Sequence, residues 1–317
     1  RKSPSMGRVS LVLLSMFAGT AIAVWETQAG KLGAKAKSGR KKENLEKFII
    51  LATPRSGSTW LTNMLGLHPE VTTHDRECFG KAPSVYDGSI QKCVTDFVKS
   101  QKLRKDDGIE EVLEAMFALP ESAESTAVGF KWMVNQFQNT SWDILETADY
   151  LNREGIKIIA LTRDNHLRQC NSLFDLNIRA KLGMSAMEYR HRSSLIQETY
   201  SPTHSIPLDF WERCLALYEE RRSHMFGLIK KMDMKNVLIV EYADMCSNSV
   251  DVMGRMQSFL GLEAEFNVDD KRQNIAKIHS GGIRDVVENW DENVGALLSG
   301  RFGAEVAKWQ EGTECGA

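Results

Sequence analysis

Two short stretches of this chain carry side chains suited to holding anions. The first is Thr53-Pro54-Arg55-Ser56-Gly57-Ser58-Thr59-Trp60. Arg55 offers a planar, permanently charged fork of donors, and Ser56, Ser58 and Thr59 add hydroxyls. Gly57 allows a close backbone approach or a positive φ. The second is Arg163-Asp164-Asn165, followed by Ser172 nine positions after Arg163. A guanidinium and a hydroxyl so placed suit a second anion. Neither stretch is a nucleoside-triphosphate loop of the form G-x-x-x-x-G-K-[ST]. Ser58 stands where the lysine after the glycine belongs, and the cation, Arg55, precedes the glycine.

The elements around these stretches give them direction. Phe48-Ile49-Ile50-Leu51 is an apolar run of strand character, and from Trp60 the spacing of Leu61, Met64 and Leu65 is helical. Strand, tight turn and helix start make an anion cradle, because first-turn amides lack internal partners and the helix dipole favours negative charge. Ile156–Thr162 predicts a second buried strand that ends on Arg163, with Asp164 and Asn165 as caps. Leu167, Cys170, Leu173, Phe174 and Ile178 form the apolar stripe of the helix that follows. Ala127–Trp132 and Asn236–Tyr242 read as further strands. Helices are expected over 89–103, 109–119, from Ser141 or Asp143 to Glu154, over 207–232 and over 247–260. Thr72–Gly80 reads as a polar loop. Strands alternating with helices predict an α/β fold: a P-loop-like, three-layer α/β/α arrangement with a central, mainly parallel sheet.

The TPRSGSTWL run, together with the LTR of Leu161–Arg163 and its later serine, resembles the two phosphate motifs of the sulfotransferase superfamily. The closest texture is that of its carbohydrate branch, both Golgi-type and bacterial trehalose-sulfotransferase-like. The likeness runs patchily from Phe48 to Trp290 and includes Phe259-Leu260-Gly261. It implies a sulfuryl donor, PAPS (3′-phosphoadenylyl sulfate), held by Arg55, Ser56, Gly57, Ser58, Thr59 and Trp60 at its 5′ end. Arg163 and Ser172 would hold its 3′-phosphate. The Lys271–Trp290 segment resembles the family's closing loop, which implies donor contacts from Arg284 and from Lys277 and His279. The cytosolic R-K-G-x-x-G form of that loop is absent.

The resemblance also implies a hydroxyl-bearing acceptor, a carbohydrate first and otherwise a glycolipid or a small hydroxylated metabolite, and a general base to deprotonate it. Glu77, in HDRECF, is the chosen base and Arg55 the charge stabiliser at the leaving phosphate; His74 and Asp75 compete with Glu77. Lys131, at the end of GFK, is a further anion contact or a strand-end lysine. No metal is called for. A catalytically inactive nucleotide-binding module and a P-loop kinase relative are the alternatives.

Bulk properties narrow the classes. The 317 residues are 42% hydrophobic and 26% charged, with a net charge of −2. Residues 1–42 hold nine Lys/Arg and one acid, leaving 31 Lys/Arg and 41 acids for the rest. An acidic globular part speaks against nucleic acid as a partner. The six cysteines show no C-x-x-C pair, so buried thiols are expected, with disulfides open for a lumenal chain. Val9–Trp25 is an uncharged apolar run of 17 residues, at the lower limit for a membrane span. The expected organisation is a signal anchor or targeting segment over 1–29, a basic stem over 30–46, the sulfotransferase domain over 47–300 and a tail over 301–317. An anchor with a stem suits a Golgi membrane enzyme with a lumenal catalytic domain. Cleavage to a secreted or organellar form, and a homodimer, stay open.

Overall fold

The computed structural model describes residues 45–74, 108–117, 125–137, 143–181, 203–263 and 282–309. The apolar run at Val9–Trp25 and the stem up to residue 44 lie outside the described residues, as do Asp75, Glu77, Lys277 and His279; Glu46, read as the end of the stem, opens the first strand. Within the described residues, no helix is long and apolar enough to cross a membrane.

Five strands form one sheet: β1 (Glu46–Ala52), β2 (Val71–His74), β3 (Ala127–Met133), β4 (Lys157–Thr162) and β5 (Val237–Glu241). Their order is β2-β3-β1-β4-β5, and every neighbouring pair is parallel. The central strands carry near-continuous apolar runs because both faces are covered; every residue of β3 is buried. Successive residues face opposite layers. On one side Ile49, Leu51, Phe130, Trp132 and Ile158 pack on α2 (Ile109–Phe117), α4 (Ile144–Arg153) and the end of α6 (Leu208–Ile229). On the other, Phe48, Ile50, Ala52, Ile159 and Leu161 pack on α1 (Ser58–Gly66) and α8 (Ser249–Leu260). The three-layer α/β/α arrangement expected from the alternating pattern is therefore what the chain forms.

The remaining helices are the single turn α3 (Val134–Phe137), α5 (His166–Lys181), α7 (Tyr242–Ser247), α9 (Trp290–Ser299) and α10 (Gly303–Trp309). A third core gathers α5, the first half of α6, α9 and α10 around Trp211, Tyr218, Trp290 and Val306. The segment read as a tail from 301 thus supplies buried residues, Phe302 and Val306. The six cysteines are not all thiols, either. Cys170 of α5 and Cys214 of α6 form a disulfide, with their Cα atoms 5.8 Å apart.

Local signals set several boundaries. Asp143 caps α4 by accepting from the amides of Leu145 and Glu146, and Gly261 ends α8 at φ 68°. The polar reading of Thr72 onward is corrected over Val71–His74, which is an edge strand paired with Ala127–Phe130. Its β-branched Val71, Thr72 and Thr73 suit a pleated edge better than a loop. The helix expected over 247–260 is α8, and the short α7 precedes it. They are divided at Asn248, whose side chain caps α8 by accepting from the amide of Asp251.

Candidate functional site

The strand order decides where the two anion stretches meet. β1 lies between β3 and β4, and Ala52 is in register with Leu161. The turns after β1 and β4 therefore leave the sheet side by side at its carboxyl edge, where open α/β sheets bind ligands. Arg55 and Arg163 sit just beyond those two strand ends.

The turn after β1 is conformationally unusual. Arg55 has φ 61°, the one positive value at a non-glycine among the described residues. Such a conformation costs of order 1–3 kcal/mol and persists only where its surroundings hold it. Gln169 of α5 supplies part of that hold: its amide nitrogen donates to Thr53 Oγ1 at 2.9 Å and to the Pro54 carbonyl at 3.0 Å. Arg163 supplies more, donating Nη1 to the Arg55 carbonyl at 2.8 Å. Gly57 then caps α1 at φ 89°, and a Cβ there would lie 2.6 Å from the Tyr242 ring. Only glycine suits both the angle and the space.

The start of α1 is open toward this turn. Its N-cap is a glycine with no side chain to cap it, and no acid lies in its first turn. The amides of Ser58, Thr59 and Trp60 have no intrahelical acceptors in that geometry. Ser56 Oγ is buried and has no hydrogen-bond partner among the described residues. An orphaned hydroxyl beside uncapped amides fits an oxyanion seated in the turn.

Side chains from three other elements close around it. Arg55 donates Nε to Ser172 Oγ at 2.7 Å, which joins the first anion stretch to the second across 117 residues of sequence. The Arg163 guanidinium lies 4.3 Å from the centroid of the Tyr242 ring, a cation–π contact that also orients it. Trp60 meets the same ring edge-on at 6.3 Å. Lys131, fully buried on β3, donates Nζ to Thr59 Oγ1 at 3.1 Å, so it belongs to the donor turn and not to the surface. Asp164 adjoins Arg163 but is engaged elsewhere. It binds Arg222 at 2.6 Å and Lys308 at 3.5 Å. Burial alone would raise its pKa, yet these two cations hold it below the usual carboxylate range.

Arg55, Ser56, Gly57, Ser58, Thr59, Trp60, Arg163 and Ser172 are thus gathered in one place. Arg284 is not among them: it is exposed and paired with Asp291 at 3.0 Å. His74 ends β2 at the same carboxyl edge, and the Asp75–Glu77 stretch that follows lies outside the described residues. Tyr242 and Gln169 were invisible as site residues in the sequence, since each is defined by what it touches in the turn after β1. Among the described residues, no group of three or more His, Cys, Asp or Glu could hold a metal ion.

Comparison with known proteins agrees with this geometry. The family model described as "Sulfotransferase family" matches residues 47–266. Nodulation protein H of Rhizobium meliloti (strain 1021) is 24% identical over 220 residues, which is 68% of this chain and 78% of that protein. Among solved structures, a sulfotransferase from Alicyclobacillus acidocaldarius is similar at a TM-score of 0.46 and 14% identity, over 86% of this chain and 95% of that one. A mouse sulfotransferase complexed with PAP is similar at a TM-score of 0.41 and 14% identity, over 86% and 91% of the two chains. With one family model spanning more than two thirds of its length, the chain belongs to the sulfotransferase family.

Proposed function

We propose that this protein transfers the sulfuryl group of PAPS to a hydroxyl of a carbohydrate, a glycolipid or another small hydroxylated metabolite. The observation that carries the reading is the joining of the two anion stretches: Arg163 binds the Arg55 carbonyl and Arg55 binds Ser172. That places two guanidiniums, an uncapped helix start and an orphaned serine hydroxyl within one cluster, the donor set for a nucleotide with phosphates at both ends. When bound, PAPS supplies an activated sulfuryl group on a phosphate that leaves.

The chain's part is alignment and charge stabilisation, as in phosphoryl transfer. Arg55 and the amides from Ser56 to Thr59 stabilise charge on the leaving phosphate. Lys131, at Thr59, lies on the same side of the turn and contacts the transferring group. Arg163 and Ser172 hold the 3′-phosphate and fix the register. Glu77 takes the acceptor proton, with His74 and Asp75 as competitors. This assignment is supported by the carboxyl edge at which β2 ends and by the carbohydrate-branch texture of the sequence. The same texture supports a sugar acceptor. The Cys170–Cys214 disulfide suits an oxidising compartment, in keeping with a Golgi-lumenal domain on an N-terminal anchor.

The test is an assay with sulfur-labelled PAPS against pooled sugars, glycolipids and small hydroxylated metabolites in EDTA, repeated with Glu77→Gln. The reading expects label in an acceptor and a loss of about 10²-fold or more in the variant. PAP binding without transfer to any acceptor would instead identify an inactive nucleotide-binding module.

A further inference from the structure

We infer that Tyr218 and Arg221, on the middle of α6, form a third arm of the donor site that binds a phosphate of the nucleotide directly. The inference rests on the proposed donor reading and adds two residues to it.

Tyr218 is fully buried, and its hydroxyl has no hydrogen-bond partner among the described residues. Nε of Arg221 is likewise buried and without a partner. The two residues are three apart on one helix, so they share a face. The Arg221 guanidinium lies 5.5 Å from the centroid of the Tyr218 ring. Its charge also acts on the tyrosine hydroxyl.

Two contacts turn this face toward the turn after β1. The Tyr218 ring stacks on His166 at 5.9 Å and 18°, and His166 opens α5 three residues after Arg163. The Cys170–Cys214 bond ties α6 one turn before Tyr218 to α5 two residues before Ser172. Electrically, the hydroxyl is pushed up to about 12 by burial, while Arg221, Arg55 and Arg163 pull it back down. It therefore feels the charge of all three guanidiniums and stays protonated at neutral pH, a donor to an arriving oxyanion.

A buried hydroxyl without a partner destabilises the free protein, and phenylalanine would fill the same space without that cost. A buried tyrosine beside Arg221 and stacked on His166 is explained if an oxyanion arrives to accept a hydrogen bond from its hydroxyl. The class of ligand is a dianionic phosphate on a nucleoside.

The test is titration of the full chain with PAP in EDTA at fixed salt, for wild type, Tyr218→Phe, Arg221→Gln and Arg221→Lys. Tyr218→Phe is expected to weaken PAP about tenfold and to leave the ligand-free melting temperature unchanged or raised. Arg221→Gln is expected to weaken PAP tenfold or more and to flatten its salt dependence, with Arg221→Lys restoring part of both. Should Tyr218→Phe fail to fold, the two Arg221 variants decide. If wild type binds PAP and Arg55→Ala does not, but the Tyr218 and Arg221 variants bind like wild type, the inference is wrong and the donor reading stands. If wild type itself does not bind PAP, both fall.

Discussion

The turn after β1 and the helical block of α5, α6 and α10 meet at the same edge of the sheet, yet they are built in opposite ways. The turn is local. Five consecutive residues, a positive φ at Arg55, a glycine cap and an open helix start define it. The block is assembled over long sequence distances, through Cys170–Cys214, through Asp164 with Arg222 and Lys308, and through His166 with Glu305. The turn leaves helix-start amides and the Ser56 hydroxyl open to a ligand, whereas the block is tied to itself by a covalent bond and by ion pairs. The comparison separates a binding element from the scaffold that keeps it bent, and it predicts that mutations in the two regions act on different quantities.

The largest effect belongs to the turn and its neighbour. Arg55→Ala and Arg163→Ala should each abolish the rise in melting temperature caused by PAP and lower sulfuryl transfer by about 10²–10³-fold. Ligand-free stability should change far less, and thermal melts with and without PAP check both halves. Next comes the block. Removing the Cys170–Cys214 bond by a double serine substitution should lower unfolding free energy by about 2–4 kcal/mol in a denaturant titration. PAP affinity of the remaining folded protein should stay within a few-fold of wild type. A collapse of affinity with little loss of stability would erase the distinction.

Gly57→Ala lies where the two regions touch. Its Cβ would meet the Tyr242 ring that also carries Arg163, and φ 89° is strained for alanine. A loss of about 1–3 kcal/mol together with weakened PAP is expected, read by the same two measurements. The smallest effect is at Asp164, whose pKa is held low in the folded state by Arg222 and Lys308 against the opposing effect of burial. A depressed carboxylate stabilises the fold above its unfolded pKa of about 4, and that contribution is lost as pH falls through the lower folded value. Because the pair is partly exposed and screened, Asp164→Asn should cost about 0.5–1 kcal/mol near pH 7. The gap should close progressively below about pH 4 in urea titrations across pH.

The same contrast explains what the sequence revealed. The donor turn was legible because strand, turn chemistry and helix start are contiguous, and Arg163 because it follows the strand Lys157–Thr162 directly. The parallel α/β/α layering followed from alternating apolar runs. Ser172 could be placed by its offset from Arg163, but its bond to Arg55 depends on β1 and β4 being neighbours. Gln169 belonged to the local pattern around Arg163 and Ser172 but had no assigned role, and Tyr242, Tyr218 and Arg221 had no local signature, since each gains its role from a contact between elements distant in sequence. The edge strand Val71–His74 was hidden by its polar threonines, and the Cys170–Cys214 pairing by the absence of any spacing rule among six scattered cysteines. Arg284 lay in a segment similar to the family's closing loop, but its side chain is spent on Asp291 at the surface.

The most direct measurement is a crystal structure of the protein with PAP, grown in EDTA. The account predicts one nucleotide, with its 5′-phosphate on the amides at the start of α1 beside Arg55 and its 3′-phosphate between Arg163 and Ser172. A nucleotide seated away from the carboxyl edge of β1 and β4, or touching only one of the two arginines, would contradict it.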